Sequence, residues 1–303
     1  MGNDGLLDVI TRLTARGRQP LECGEPGHGA GHVCLPVSQE IGLAGLVEGI
    51  SGRYGSSRNL AMGGCADPTA DATTGLPLLT PFRGRVVDMR AWAYGSCWIG
   101  AGTVCDGDAV QRVVVIAARA VPVVEGLPAD ASWVEKVVAV TGWGERRMRT
   151  VDWAAVQERL GTVLPSDYKQ LVEIFGYGAF DSFLTLYVPD ARVAGVDIVG
   201  GPERRAGLST LALASLWEPY DAYPVPGGLL EWGSSEQADQ FLWLTEGDDP
   251  DHWPILATAD IPDSWRRLGG STAEVVFRML TERAHPFSTA RYFDTHWFQS
   301  YED

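Results

Sequence analysis

Apolar residues in the first half recur first at helical and then at strand spacing. Leu6, Val9, Ile10 and Leu13 lie on one face of 6–16, which predicts a helix stopped by Gly17. A Gly-, Pro- and Cys-rich loop runs on to about Leu35. Ile41, Leu43, Leu46, Val47 and Ile50 predict a second helix over 38–54, weakened by Gly42, Gly45 and Gly49. Residues 64–81 are rich in turn formers and read as a surface excursion. Three strands follow, Gly84–Ala93, Cys97–Val104 and Gln111–Ala118, with turns at Tyr94–Ser96 and Asp106–Asp108. Val113-Val114-Val115-Ile116 is apolar enough for a central strand. Residues 119–151, with Val134–Val140 apolar, read as a connecting segment closed by the run Glu145-Arg146-Arg147-Met148-Arg149, which places a boundary near 148–151.

The second half opens on a capped helix. Asp152 precedes Trp153, Val156 and Leu160, and Gly161 ends the turn. A second helix begins after Leu164-Pro165, with Ser166 or Asp167 as cap and Tyr168, Leu171, Val172 and Phe175 as its buried stripe. Strands are expected at 183–188, Leu229–Trp232, Gln240–Thr245 and Trp253–Thr258, and helices at 206–216 and Thr272–Arg283. The whole reads as α+β: an unrecognised small α+β domain over 1–150, then a second domain over 151–303 with helices packed on a mixed β-sheet.

Charge separates the halves further. Net charge is −15. Residues 1–150 hold 14 basic against 15 acidic residues, and 151–303 hold 10 against 24. An acidic surface repels phosphate backbones and lipid head groups and attracts basic partners, so neither nucleic acid nor membrane is an expected partner. No run approaches a membrane span, and Met1–Ile10 lacks a basic, then apolar, leader pattern. Five cysteines, all in the first half, fit a paired secreted framework poorly. The expected location is the cytoplasm.

Two blocks in the second half carry a family resemblance. The first runs from Trp153 through Leu160-Gly161, Leu164-Pro165 and Asp167-Tyr168 to Gly176-Tyr177-Gly178. The second runs from Gly227-Gly228 through Trp232-Gly233, Trp243 and Gly247-Asp248 to Trp253-Pro254. In this order they resemble the SMI1/KNR4 (SUKH) family over about 130 residues. Gln237-Ala238-Asp239 departs from it where an Asn-Gly-Asp-like turn is expected. The resemblance implies a non-enzymatic protein-binding domain without a shared catalytic set. Many bacterial members are immunity proteins against nuclease or other polymorphic toxins, and fungal members are regulatory hubs.

Candidate chemistry is sparse. Cys23, His28, His32 and Cys34, in CGEPGHGAGHVC, are the residue types of a tetrahedral zinc site. Their spacing matches no common zinc module, and an ordinary flexible loop is the competing reading. No nucleophile elbow, P-loop or dinucleotide fingerprint occurs, and His252, His285 and His296 lack sequence neighbours that mark a triad. The expected binding surface is acidic: Glu218, Asp221, Glu231, Glu236, Asp239, Glu246, Asp248, Asp249 and Asp251, with Trp232 as an aromatic anchor. The functional expectation is an immunity protein that occludes a basic toxin domain, with a regulatory hub as the alternative. An enzyme built on the Cys/His loop is the remote third reading.

Overall fold

The computed structural model describes residues 2–15, 20–38, 40–107, 109–144, 148–208, 217–258 and 265–302. The fold is α+β, and the chain divides into two compact units. One is Met1–Pro122 with Glu282–Pro286, and the other is Val123–Thr281 with Phe287–Asp303.

The first unit is a six-stranded antiparallel sheet. Its strands are β1 (His32–Pro36), β2 (Arg58–Met62), β3 (Cys65–Ala66), β4 (Val86–Tyr94), β5 (Cys97–Asp106) and β6 (Ala109–Ala118), in the order β1-β6-β5-β4-β2-β3. The three expected strands are its centre. Helices α1 (Asn3–Ala15) and α2 (Leu43–Tyr54) cover one face, where Leu6, Ile10, Leu46 and Ile50 meet Trp92, Ile99, Val114 and Ile116. Gly49 is no weakness there: its bare Cα faces Leu7 and Asn3, so the two helices approach closely.

The opposite face is covered by the segment read as a surface excursion. Two 3-10 turns, Leu76–Leu78 and Thr80–Phe82, bury Leu78 and Phe82 against Met89, Trp98, Val113 and Val115. Turn composition marked the bends but not the two buried side chains they deliver. Cover on both faces explains the unbroken Val113–Ile116 run, since alternate residues all find a core.

β4 carries a bulge between Val86 and Asp88. It presses the Asp88 carbonyl against Gly102 on β5, where a Cβ would overlap that oxygen. Gly102→Ala is therefore expected to lower the stability of this unit by about 1–3 kcal/mol or more. A urea titration followed by far-UV circular dichroism checks this, and an unchanged midpoint refutes it.

The second unit begins inside the expected linker. Helix α3 (Trp133–Thr141) buries Val134 and Val137, and its ring Trp133 lies 5.6 Å from Phe277. Ser132 and Glu135 form a reciprocal capping box at its start. That Ser-x-x-Glu signal is legible in the sequence and marks a helix, not a connector. Residues 145–147 of the basic run lie outside the described residues.

Helices α4 (Trp153–Leu160), α5 (Ser166–Phe175), α6 (Gly200–Leu208) and α7 (Thr272–Thr281) accompany a seven-stranded sheet. The helix expected over 206–216 falls mostly outside the described residues. The strands are β7 (Gly178–Phe180), β8 (Leu184–Leu186), β9 (Leu229–Ser235), β10 (Gln240–Leu244), β11 (Ile255–Thr258), β12 (Arg266–Leu268) and β13 (Phe298–Ser300), ordered β12-β11-β10-β9-β8-β7-β13. Every pairing of these strands is antiparallel, so the expected mixed sheet is corrected. Parallel contact is limited, among the described residues, to the isolated bridges Val188–Asp197 and Ala222–Leu229. Short turns join β7 to β8 and β9 to β10, and such connections favour antiparallel pairing.

Asp152 caps α4 as expected, accepting from the Ala155 amide at 3.1 Å. The start of α5 differs: Pro165 stands at its N-cap without a side-chain bond. Asp167 instead accepts from the Ala273 amide at 2.6 Å and so caps α7. Burial raises the Asp167 pKa, opposed by its hydrogen bonds to Ser271 and Ala273.

Candidate metal centre and acidic surface

The Cys/His cluster is built by a returning loop and a strand. The Gly31 amide donates to the Leu21 carbonyl at 2.9 Å, and Glu22 bridges Ala30, so the loop between them closes on itself. A turn from His28 to the Glu25 carbonyl, followed from Gly27 at φ 80°, directs it back. His32 and Cys34 are two apart on β1 and share one face of the strand. That face also packs toward Phe82, because Cys34 lies against the core containing it.

The loop and the strand thus bring Cys23, His28, His32 and Cys34 together. Their donor atoms all lie within 4.8 Å of one another. His28 Nδ1 is 3.4 Å from Cys23 Sγ, 3.3 Å from His32 Nε2 and 3.6 Å from Cys34 Sγ. The His28 ring meets Phe82 edge-on at 5.7 Å, and His32 is buried at 5% exposure. Burial, with the Cys23 thiol beside it, pushes the Cys34 thiol up to about 12. Burial and the neighbouring His28 lower the His32 pKa, against a hydrogen bond to the Ala30 backbone. The loop expected to run to about Leu35 ends at Gly31, where β1 begins and its period-two spacing sets His32 and Cys34 on one side.

The acidic set is only partly a surface. Glu218, Asp221, Glu236, Glu246, Asp248, Asp249 and Asp251 are exposed. Glu231 and Asp239 are buried, at 6% and 8% exposure, and Trp232 is fully buried. These three are corrected: they serve the fold, not an exposed face. Glu231 accepts from the Tyr187 hydroxyl at 3.0 Å and lines a cavity of about 290 Å³ with Asp197, Arg204 and Tyr223. Asp239 accepts from the Ser235 hydroxyl at 2.6 Å and closes the β9–β10 hairpin. Ala238 there takes φ 65°, the left-handed value suited to glycine or asparagine, which is where the turn departs from the family pattern. Trp243 and Trp253 are also buried.

Two of the exposed acids have local work. Asp251 accepts from the Ser166 amide and hydroxyl, at 2.5 and 3.0 Å. Asp249 accepts from the Asp251 amide at 3.0 Å and pairs with His252 at 2.8 Å, and these bonds hold its carboxyl below the usual range, His252 contributing most. Glu246 is 3.9 Å from Arg267. Glu236 and Asp248 project from hairpin tips.

One buried constellation carries no sequence signal, because its members lie more than 100 residues apart. Asp181 accepts from Thr289 Oγ1 at 2.6 Å, from the Trp297 amide at 3.0 Å, and pairs with His296 Nδ1 at 2.7 Å. Thr289 donates to the carboxylate, not to the imidazole, so the trio is not in nucleophile–base order. It ties the C-terminal segment to the β7–β8 turn. His296 therefore does have a partner, supplied by folding.

No family model, no curated protein and no solved structure matches the chain. The SMI1/KNR4 resemblance rests on the two sequence blocks alone. No helix among the described residues is long and apolar enough to cross a membrane.

Proposed function

We propose that this is a non-enzymatic, cytoplasmic protein that captures a basic protein partner through its acidic second half, the role of an immunity protein against a basic toxin domain. The observation that carries the reading is the exposed acidic turn Glu246–Asp251 with Glu236, in a half of the chain holding 24 acidic against 10 basic residues. Exposed like charge of this kind accelerates encounter with a basic partner and rejects acidic ones. The SMI1/KNR4 resemblance supports the same reading. Five cysteines as free thiols fit a reducing compartment.

Co-expression with each basic protein encoded beside it tests the proposal. A stoichiometric complex and rescue of growth from a toxic neighbour are expected. Neutralising Glu236, Glu246 and Asp248 together as Gln, Gln and Asn is expected to slow association about tenfold at low salt and to leave the fold intact. No complex with any such neighbour, or association indifferent to both salt and these substitutions, overturns it.

A further inference from the structure

We infer that Cys23, His28, His32 and Cys34 bind one Zn²⁺ tetrahedrally, a closed structural centre that clamps the 21–31 loop to the edge strand β1. The first support is metric. Zinc bonds of about 2.0–2.1 Å to nitrogen and about 2.3 Å to sulfur give tetrahedral edges of about 3.3 Å between nitrogens and about 3.5–3.6 Å between nitrogen and sulfur. The three edges from His28 Nδ1 match these, at 3.3 Å to the other imidazole nitrogen and 3.4 and 3.6 Å to the sulfurs, and all four donors lie within 4.8 Å of one another, so binding draws the remaining edges in.

The second support is a counting argument. His28 Nδ1 has one in-plane site, a proton or a lone pair. It makes one good hydrogen bond, yet three donor atoms crowd it. Four ligand atoms converging on a shared centre account for that crowding, and a hydrogen-bonded network does not.

The third support is the surrounding architecture. His32 is buried at 5% exposure with its Nε2 pointing into the cluster, 3.3 Å from His28 Nδ1. His28 is set edge-on by Phe82. Four protein donors leave no open position, so the centre holds structure and does not activate water. A Rieske-type cluster also takes two Cys and two His, but it holds the two pairs on different irons, whereas here His28 Nδ1 lies within 3.6 Å of His32 Nε2 and of both sulfurs, the geometry of a single ion. The centre also answers a local need: from Cys23 to Gly29 the loop has five exposed positions and three glycines, so little apolar burial offsets its entropy.

The test uses the full chain purified under reducing conditions. Elemental analysis is expected to find about one zinc per chain. After chelation, Co²⁺ added to the wild-type protein is expected to give the visible bands of a tetrahedral ion and a thiolate-to-cobalt charge-transfer band. Cys34→Ser and His28→Ala are expected to weaken binding about 100-fold or more, beyond the 10–100-fold usual for outer-shell changes. The wild-type cobalt spectrum keeps the test sound if a variant misfolds. Substoichiometric zinc together with a wild-type protein lacking those cobalt bands overturns the inference. So does zinc retained unchanged in a Cys23→Ser/Cys34→Ser variant, or a Cys23–Cys34 disulfide in the reduced preparation.

Discussion

Trp243→Ala is expected to destabilise the second unit by about 3–5 kcal/mol, the range for deleting a large buried aromatic. Trp243 is 1% exposed on β10. Its ring meets Tyr168 of α5 edge-on at 4.9 Å, stacks with Trp232 at 6.0 Å and reaches Trp253 at 6.4 Å. Its indole N–H donates to Thr272 Oγ1 at 3.1 Å, at the first turn of α7. One side chain thus joins the sheet to two helices, and neighbours held by their own bonds are poorly placed to fill the space. Tyr168, for one, is anchored by its hydroxyl to the Tyr187 carbonyl at 2.6 Å. Trp243→Phe keeps an aromatic contact and loses the hydrogen bond, so it should cost clearly less. Urea denaturation by far-UV circular dichroism measures both. A loss under about 1.5 kcal/mol for the alanine variant contradicts a core role.

Asp181→Ala is expected to cost about 3–5 kcal/mol and to loosen the C-terminal segment. The side chain is fully buried and serves three donors, Thr289, His296 and the Trp297 amide. Alanine leaves all three without that acceptor, and each buried orphan carries its own desolvation cost. Asp181 also sits at φ 51°, which alanine tolerates less well. Asp181→Asn separates the causes, because asparagine accepts the left-handed backbone and keeps one carbonyl oxygen. Amide exchange is the second readout: β13 pairs with β7 from Phe298 to Ser300, and its amides should lose protection in the alanine variant. Unchanged protection with an unchanged midpoint would mean the tail is held elsewhere.

Much of the element order was readable in the chain. Helices α4, α5 and α7 and strands β4, β5 and β6 follow from spacing, caps and β-branched runs, because these signals are local. The failures are physical too. β1 sits in a Gly-rich stretch whose own propensity is poor, and it is a strand only because β6 offers it a partner from His32 to Pro36. The loop over 64–81 carries buried Leu78 and leads directly into buried Phe82, which its turn composition outweighed. Glu231, Trp232 and Asp239 were expected on a binding face, yet β9 is covered on both sides, burying Leu229 to Gly233 without alternation, and the closure of its hairpin buries Asp239.

By itself the sequence determined the α+β class, most helices, the acid-rich second half and the residue types able to hold a metal. Those depend on local periodicity and on composition, which need no folding. Only the tertiary structure decided which acids reach the surface, that Asp167 caps a helix 106 residues away, and that Asp181 meets His296. It also placed Cys23 and His28 of a loop over His32 and Cys34 of a strand. Such juxtapositions arise from strand pairing and loop closure between segments whose separation along the chain carries no trace of their proximity.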